Sequence, residues 1–518
     1  MKYHSIYAVC SPVFFSSLLF AQDNTPTVQT SSGAITGHAA QYEKEVSEYL
    51  GIPYARPPIG DLRFAAPQTF NSTAPFDAKA YSPDCPQTIP PIKYPGQTPQ
   101  FDDIVKAFGG GRGNPQSEDC LTLNVWSKSS SNNGKGVLLW FHGGRFTLGD
   151  TNTPFYDGQF LAAAQDLVVV TANYRLNIFG FSGAPSQPAN AGLLDQRKAV
   201  EWVRDNIAAF GGDPKKISIW GQSAGGSAVD YYAYAYPDDP IVSGLISVSG
   251  TAESFEANTP DFARQSFLAA AKNVSCSGSD EDVVACMRKV DTKTLQGAIA
   301  AVKPLPSVAL SQAAFHPTVD DQIVFNLSTY RARGEAGQFA KIPYMAGNND
   351  HESGWYRLAA SAQKIQLTDQ QWNLFELEGF TCASRDAVAY RAKHGLPAFR
   401  WRYFGDFDNT RLYDGSGAYH GVDLHMIFGA SWNVTGLEPS QAQKWTTQYM
   451  QGAWAAFVSD PPRGLVGMGW PLYEANGEGN VLVRLGLNDM PSASFVSPAE
   501  FDEGCPSNGS VKEAQGAF

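Results

Sequence analysis

Apolar positions in the first half of this chain come mostly in short unbroken runs. Residues 136–141 read Gly-Val-Leu-Leu-Trp-Phe and residues 167–172 read Leu-Val-Val-Val-Thr-Ala. A strand covered on both faces of a sheet needs such a run, because neither side of it meets water. Residues 120–126 alternate instead, and 28–37, 46–53, 217–220 and 245–249 are further short strand candidates. Residues 194–210 place apolar side chains near helical spacing. The second half is less regular, with helices expected over 261–273, 281–301, about 366–378, from about Val422, and 438–459, and strands over 342–346 and 399–404. Strands that alternate with helices predict an α/β protein with a mainly parallel central sheet and helices on both faces. Residues 85–117 break the pattern: they hold Pro86, Pro90, Pro91, Pro95, Pro99 and Pro115 and the glycine run 109–111. Irregular loops of this length are uncommon unless functional, so this excursion is expected to border or cover a pocket.

Composition narrows the class. With 518 residues, 43% of them hydrophobic, the chain can bury a large core, and no repeat or low-complexity linker divides it. Its net charge of −12 has the wrong sign for gripping a phosphate backbone, which argues against a nucleic-acid partner. The N-terminus has the form of a secretory leader over residues 1–21, an apolar run from Ile6 to Phe20 followed by Ala21-Gln22-Asp23. Pro12 and three serines interrupt that run, and it is short for a bilayer span. No other stretch looks membrane-spanning, so residues 22–518 are read as one secreted domain without integral membrane association. Of seven cysteines, Cys10 leaves with the leader. The other six suit three disulfides in an oxidising compartment. Cys276 with Cys286 would close a small loop and Cys85 with Cys120 a longer one, leaving Cys382 with Cys505, although six cysteines allow fifteen pairings. Glycosylation sequons stand at Asn71, Asn273, Asn326, Asn433 and Asn508.

The chemistry gathers around Gly221-Gln222-Ser223-Ala224-Gly225-Gly226, which follows an apolar strand and precedes helix-compatible residues. Glycine two places either side of a serine lets neighbouring backbones pass a sharp strand-to-helix turn, leaving the hydroxyl exposed. A serine hydroxyl is a weak nucleophile and needs a histidine base oriented by a carboxylate, which on such a sheet follow in the order serine, acid, histidine. Among His316, His351, His394, His420 and His425, position favours His420. It lies in a glycine-rich segment after the strand ending near residue 404, whereas His425 would sit on the next helix. For the acid, strand 342–346 runs out into Asn348-Asn349-Asp350-His351-Glu352, and position alone leaves Asp350 and Glu352 both open. The anion formed on a carbonyl needs fixed N–H donors. The loop His142-Gly143-Gly144 and the N–H of Ala224 can supply them.

Further motifs extend the pattern: Gly51-Ile52-Pro53-Tyr54-Ala55, Glu118-Asp119-Cys120-Leu121, Asn173-Tyr174-Arg175, Gly192-Leu193-Leu194-Asp195-Gln196 and Phe210-Gly211-Gly212-Asp213-Pro214. With the serine turn and His142-Gly143-Gly144, the chain resembles the type-B carboxylesterase/lipase family, which includes cholinesterases and fungal lipases, over essentially its whole mature length. The resemblance implies an α/β-hydrolase fold. It selects Glu352 as the acid, supports His420 and the Cys85–Cys120 and Cys276–Cys286 pairs, and places oxyanion donors at Gly144, Arg145 and Ala224. The expected activity is hydrolysis of a small-molecule carboxylic ester without metal or organic cofactor. Other readings are a long-chain lipase with residues 85–120 as lid, an esterase or acyltransferase that tailors one metabolite, and a non-catalytic binding protein on the same scaffold. The last is expected to have lost a triad residue, and all three are present. The chain departs from the family twice. Arg145 stands where a third glycine is frequent, at a cost of about 1 kcal/mol if φ there is positive. It is expected either to favour anionic substrates or to turn to solvent or a local acid. Ser353 replaces another frequent glycine.

Overall fold

A computed structural model of the chain describes Met1 and residues 26–89, 91–111, 113–128, 134–303, 313–474 and 480–506. The expected leader, Cys10 and Asn508 therefore lie outside the described residues, Met1 excepted. The strands in chain order are β1 (Thr27–Thr30), β2 (Gly33–Thr36), β3 (His38–Ala39), β4 (Val46–Pro53), β5 (Phe76–Asp77), β6 (Thr122–Lys128), β7 (Lys135–Phe141), β8 (Val168–Ala172), β9 (Gly212–Gln222), β10 (Gly244–Val248), β11 (Tyr344–Asn349), β12 (Ala398–Tyr403), β13 (Leu482–Leu485) and β14 (Ser494–Val496). Among the described residues they form a small sheet, β1-β2-β5, and an eleven-stranded sheet in the order β14-β13-β12-β11-β10-β9-β7-β8-β6-β4-β3. From β8 to β13 neighbours are parallel, with antiparallel strands at both edges.

The unbroken apolar runs have the cause expected of them. Along β7, Val137, Leu139 and Phe141 join the core on one face while Leu138 and Trp140 join the core on the other. Successive side chains of a strand point to opposite faces, so a strand between two helical layers must be apolar at every position. One layer includes the helices Ala191–Asn206 and Ala224–Ala235, and the other includes Gln441–Ser459.

Several elements differ from the sequence expectation. Residues 28–37 form a hairpin, β1 and β2, turning at Gly33 (φ 106°). The helix expected over 281–301 is two helices, Asp280–Met287 and Thr292–Ala300, the second capped where the Asp291 side chain accepts from the Thr294 N–H. The helix expected from Val422 is only the short Leu424–Phe428. The irregular excursion contains an amphipathic helix, Phe101–Phe108, which buries Phe101, Ile104 and Ala107. The segment 366–378 continues through a π-helical turn, Leu377–Cys382, into the helix Ala383–Lys393. The three disulfides are Cys85–Cys120, Cys276–Cys286 and Cys382–Cys505.

Polar residues of the sequence motifs tie loops at the C-terminal ends of the strands to one another. Arg175 holds Asp195 through two side-chain bonds of 2.8 and 2.7 Å, and its backbone N–H reaches the same carboxylate. The pair is almost fully buried. Tyr54 donates to the Asn173 carbonyl (2.6 Å) and Tyr174 to the His142 carbonyl (2.7 Å). Arg63 binds Glu118 and also donates to the carbonyls of Met287 and Val290, joining the excursion's end to the helices that follow residue 260. Removing one member of a buried ion pair strands the other charge, which costs roughly 3–5 kcal/mol. Asp195→Ala is therefore expected to lose about that much in denaturant-monitored unfolding; a loss below about 1 kcal/mol contradicts the role given to this pair.

Candidate active site

The site lies at the C-terminal ends of the central parallel strands, where open α/β sheets hold their ligands. Strand β9 delivers Ser223 on a turn at φ 58°, ψ −121°, followed at once by the helix Ala224–Ala235. Only glycine fits around it. A Cβ on Gly225 would stand 2.0 Å from the Phe141 carbonyl oxygen, and one on Gly221 would stand 2.4 Å from Gly225. Gly250, at the end of β10, packs equally close, its missing Cβ 2.1 Å from the Ser223 carbonyl oxygen. The Ser223 N–H is held by the Val248 carbonyl (2.8 Å). These close approaches fix the strained turn, so the hydroxyl stays at the pocket surface, the residue being only 5% exposed.

Two other loops converge on it. The end of β11 carries Glu352, fully buried, and the glycine-rich loop after β12 carries His420, with Gly415, Gly417 and Gly421 all at positive φ. His420 Nδ1 lies 2.5 Å from Glu352 Oε2. The other carboxylate oxygen accepts from the Ser249 hydroxyl (2.6 Å) and the Asn349 N–H (2.7 Å). Asn349 Nδ2 in turn donates to the Tyr419 carbonyl and to Asp423, stitching the acid loop to the histidine loop. Of the two acids left open by position, Asp350 points elsewhere and accepts from Arg402 (2.9 Å). His425 is buried against Phe155 without a hydrogen-bond partner among the described residues, and burial lowers its pKa to about 3.

The loop after β7 brings Gly144, Arg145 and Phe146 beside Ser223, at φ 103°, 57° and 59°. Arginine thus occupies the left-handed conformation in which glycine is favoured, as does Phe146, at roughly 1 kcal/mol each. Phe146 is held there by packing on Phe181 and Tyr231. His142 stacks on Tyr174, and burial lowers its pKa to about 4, so the ring is neutral at pH 7. The Arg145 guanidinium lies over the Tyr356 ring, 5.5 Å from its centre. Ser223, His420, Gly144 and Arg145 open on one cavity of about 950 Å³, bordered on its far side by the excursion, including Phe108 and Gln116.

Neighbours that sequence reasoning missed are Ser249, Tyr356 and Phe380. The Tyr356 hydroxyl lies 3.4 Å from His420 Nε2. Phe380, on the π-helical turn, packs on both His420 and Tyr356. Their sequence signals are slight, since each is an ordinary residue type brought in by a distant element. Asp423 sits in the stretch after His420, but nothing local shows that it is buried.

A mainly parallel sheet with helices on both faces and a serine on its strand-to-helix turn defines an α/β hydrolase. The chain belongs to the carboxylesterase family, whose family model matches residues 24–378, and it is a carboxylic-ester hydrolase. It is 36% identical to a chlorogenic acid esterase of Aspergillus niger over 451 residues, 85% of this chain and 83% of that one. It is 32% identical to secreted lipase 5 of Gibberella zeae over 506 residues, 93% and 94% of the two chains. Mouse cholinesterase is 35% identical over 320 residues, 59% of this chain and 50% of that protein. A solved structure of a thermophilic pNB esterase superposes with a TM-score of 0.77 over 92% of this chain and 99% of its own, at 24% identity, which speaks for the fold.

Burial, and secondarily the Glu352 charge, raises Asp423 from its ordinary 3.8 to about 7. Its folded pKa exceeds its unfolded one. Its contribution to stability is thus complete below pH 3.8 and is lost as pH rises through about 7, because the native state keeps a proton that the unfolded chain releases. Urea unfolding of the wild type and Asp423→Asn between pH 4 and 8 is expected to give curves that differ in slope by up to about 1.4 kcal/mol per pH unit in that window. Parallel curves contradict the assignment.

Proposed function

We propose that this chain is a secreted serine esterase working through an acyl-enzyme, with Ser223 as nucleophile, His420 as base and Glu352 as the orienting acid. The observation that carries this is the 2.5 Å contact of Glu352 with His420 Nδ1, in a site where Ser223 and His420 line the same cavity. With Nδ1–H donated to the carboxylate, Nε2 is left as the proton acceptor. Ser223 Oγ attacks the ester carbonyl as His420 takes its proton. The backbone N–H groups of Gly144, Arg145 and Ala224 receive the developing oxyanion. His420 then protonates the departing alkoxide. Water enters, loses its proton to His420 and attacks the acyl-enzyme, and the acid leaves by the same steps in reverse. Glu352 supports the imidazolium formed at each stage, its other oxygen being held by Ser249 and Asn349.

Secretion is supported by the leader-like residues 1–21, by three disulfides and by a relative named as a secreted lipase. Asn71, Asn273 and Asn326 are exposed and Asn433 half-buried, which supports glycosylation at the first three most directly. A single domain is supported by one sheet that draws strands from residue 38 to residue 496. The substrate is a small-molecule ester, a reading the relatives' names favour.

Two experiments follow. Ser223→Ala is expected to abolish covalent labelling by an organophosphate while the protein is still secreted and folded; persistent labelling of the folded variant contradicts the assignment. Arg145 keeps its N–H when replaced by glycine but loses the positive charge it places in the cavity. Arg145→Gly is therefore expected to lower kcat/KM for 4-acetoxybenzoate by roughly tenfold more than for phenyl acetate, the worth of one partly screened charge pair. An equal change on both esters removes anion recognition as its role.

A further inference from the structure

His420 has a partner on each ring nitrogen, and one helical turn supplies both. Glu352, with helical backbone angles (φ −52°, ψ −38°), immediately precedes the helix Ser353–Ala362. Tyr356 stands four positions later, so the two side chains lie on one face of that helix. Glu352 Oε2 is 2.5 Å from Nδ1, and the Tyr356 hydroxyl is 3.4 Å from Nε2. The turn is fastened at its start, where the Ser353 N–H donates to Glu376 (2.8 Å) and the Tyr413 hydroxyl to the Gly354 carbonyl (2.7 Å). The Tyr356 ring is boxed by Phe375 edge-on at 4.7 Å, by Phe380 at 5.9 Å and by the Arg145 guanidinium at 5.5 Å. Tyr356 is buried, and it lines the cavity that Ser223 and His420 also line.

Resting on the serine-esterase reading, we infer that Tyr356 is a further catalytic residue. Its hydroxyl holds the oxygen that exchanges a proton with His420 Nε2, the departing alcohol in the first half-reaction and the attacking water in the second. The distance decides between this role and that of a simple clamp on the ring. Hydrogen bonds from a hydroxyl are best near about 2.8 Å, so at 3.4 Å the phenol and the imidazole hold one another loosely. Both can then turn to a third oxygen beside them. A lone water needs at least two polar partners to stay in place. During deacylation it gives one hydrogen to Nε2, where the O–H bond breaks, and points the other at the phenol oxygen. A lone pair is left for the acyl carbon, to which the new C–O bond forms. A departing alkoxide has only lone pairs to offer; it takes the proton from Nε2–H and a hydrogen bond from the phenol O–H. A hydroxyl serves both steps because it donates and accepts, and it ends each step with the proton it began with. Burial raises the Tyr356 pKa above its ordinary 10, against the pull of Arg145, so that proton is retained at working pH.

The test compares the full-length enzyme with Tyr356→Phe on 4-nitrophenyl acetate and benzyl acetate. The substitution removes one oxygen and keeps the ring, so the packing on Phe375 and Phe380 and the contact with Arg145 remain. 4-Nitrophenolate leaves without needing a proton, so with this ester the phenol matters only once water attacks. Expected in the variant is a deacetylation rate constant roughly tenfold lower, read by rapid quench and mass spectrometry as the decay of the acetyl adduct on Ser223. Its kcat/KM for 4-nitrophenyl acetate is expected to stay within about threefold of wild type, below the worth of one net hydrogen bond. Benzyl alkoxide is strongly basic and must be protonated as it departs, so kcat/KM for benzyl acetate is expected to fall roughly tenfold. Unchanged deacetylation overturns the inference. So does an equal loss of kcat/KM on the two esters, which is what a merely structural disturbance of His420 would give. The two levels separate cleanly. A wild type that forms no acetyl adduct on Ser223 sinks the serine-esterase reading itself, whereas an adduct that decays alike in both proteins sinks only the role given to Tyr356.

Discussion

A carboxylate with no access to water is the constraint around which this molecule is built. Glu352 is fully buried, and an ionised group in that position is tolerable only if its oxygens are taken up by donors. One donor comes from its own loop (the Asn349 N–H), one from the end of the neighbouring strand β10 (the Ser249 hydroxyl), and one from a loop 68 residues further on (His420). Each belongs to a different crossover of the parallel sheet, so satisfying the charge fixes the relative positions of three strand ends. The His420 imidazole is thereby held against the carboxylate, on the cavity that Ser223 also lines.

The Ser223 turn depends on the opposite means, close backbone contact in place of polar contact. Ser223, Arg145 and Phe146 all sit at positive φ, and Ser249 does too, at 48°. Strain of this kind persists when the surroundings leave no alternative, and here glycines 143, 221, 225, 226 and 250 let chains approach to distances that any side chain would forbid. Strained backbone thus gathers around the cavity that Gly144, Arg145 and Ser223 line together. The helices and apolar strands outside this zone are regular and carry the stability that offsets it.

The walls of the site come from elements that carry none of Ser223, Glu352 and His420. The π-helical turn Leu377–Cys382, tied to the C-terminal segment through Cys382–Cys505, sets Phe380 against His420 and Tyr356. The excursion between Cys85 and Cys120 walls the other side, where Phe108 occupies the space a side chain on Gly421 would need.

What the amino-acid order determined by itself was whatever depends on near neighbours along the chain. The unbroken runs 136–141 and 167–172 announced strands buried on both faces, and the glycine spacing about Ser223 announced a turn that only glycine permits. The acid loop and the histidine loop were legible as glycine- and asparagine-rich exits from strands, though choosing Glu352 over Asp350 took the family resemblance. The helix Phe101–Phe108 was hidden by flanking prolines and glycines, and the break at Asp291 by helix-compatible residues on either side. Only the folded structure decided that Asp350 would face Arg402, that Ser249 would bind a carboxylate 103 residues away, and that Arg145 and Phe255 would close the space beside Ala224. The reason is physical. Strand period, turn strain and loop composition act over a few residues, whereas the shape of a cavity and the partners of a buried charge are set by which distant surfaces pack together.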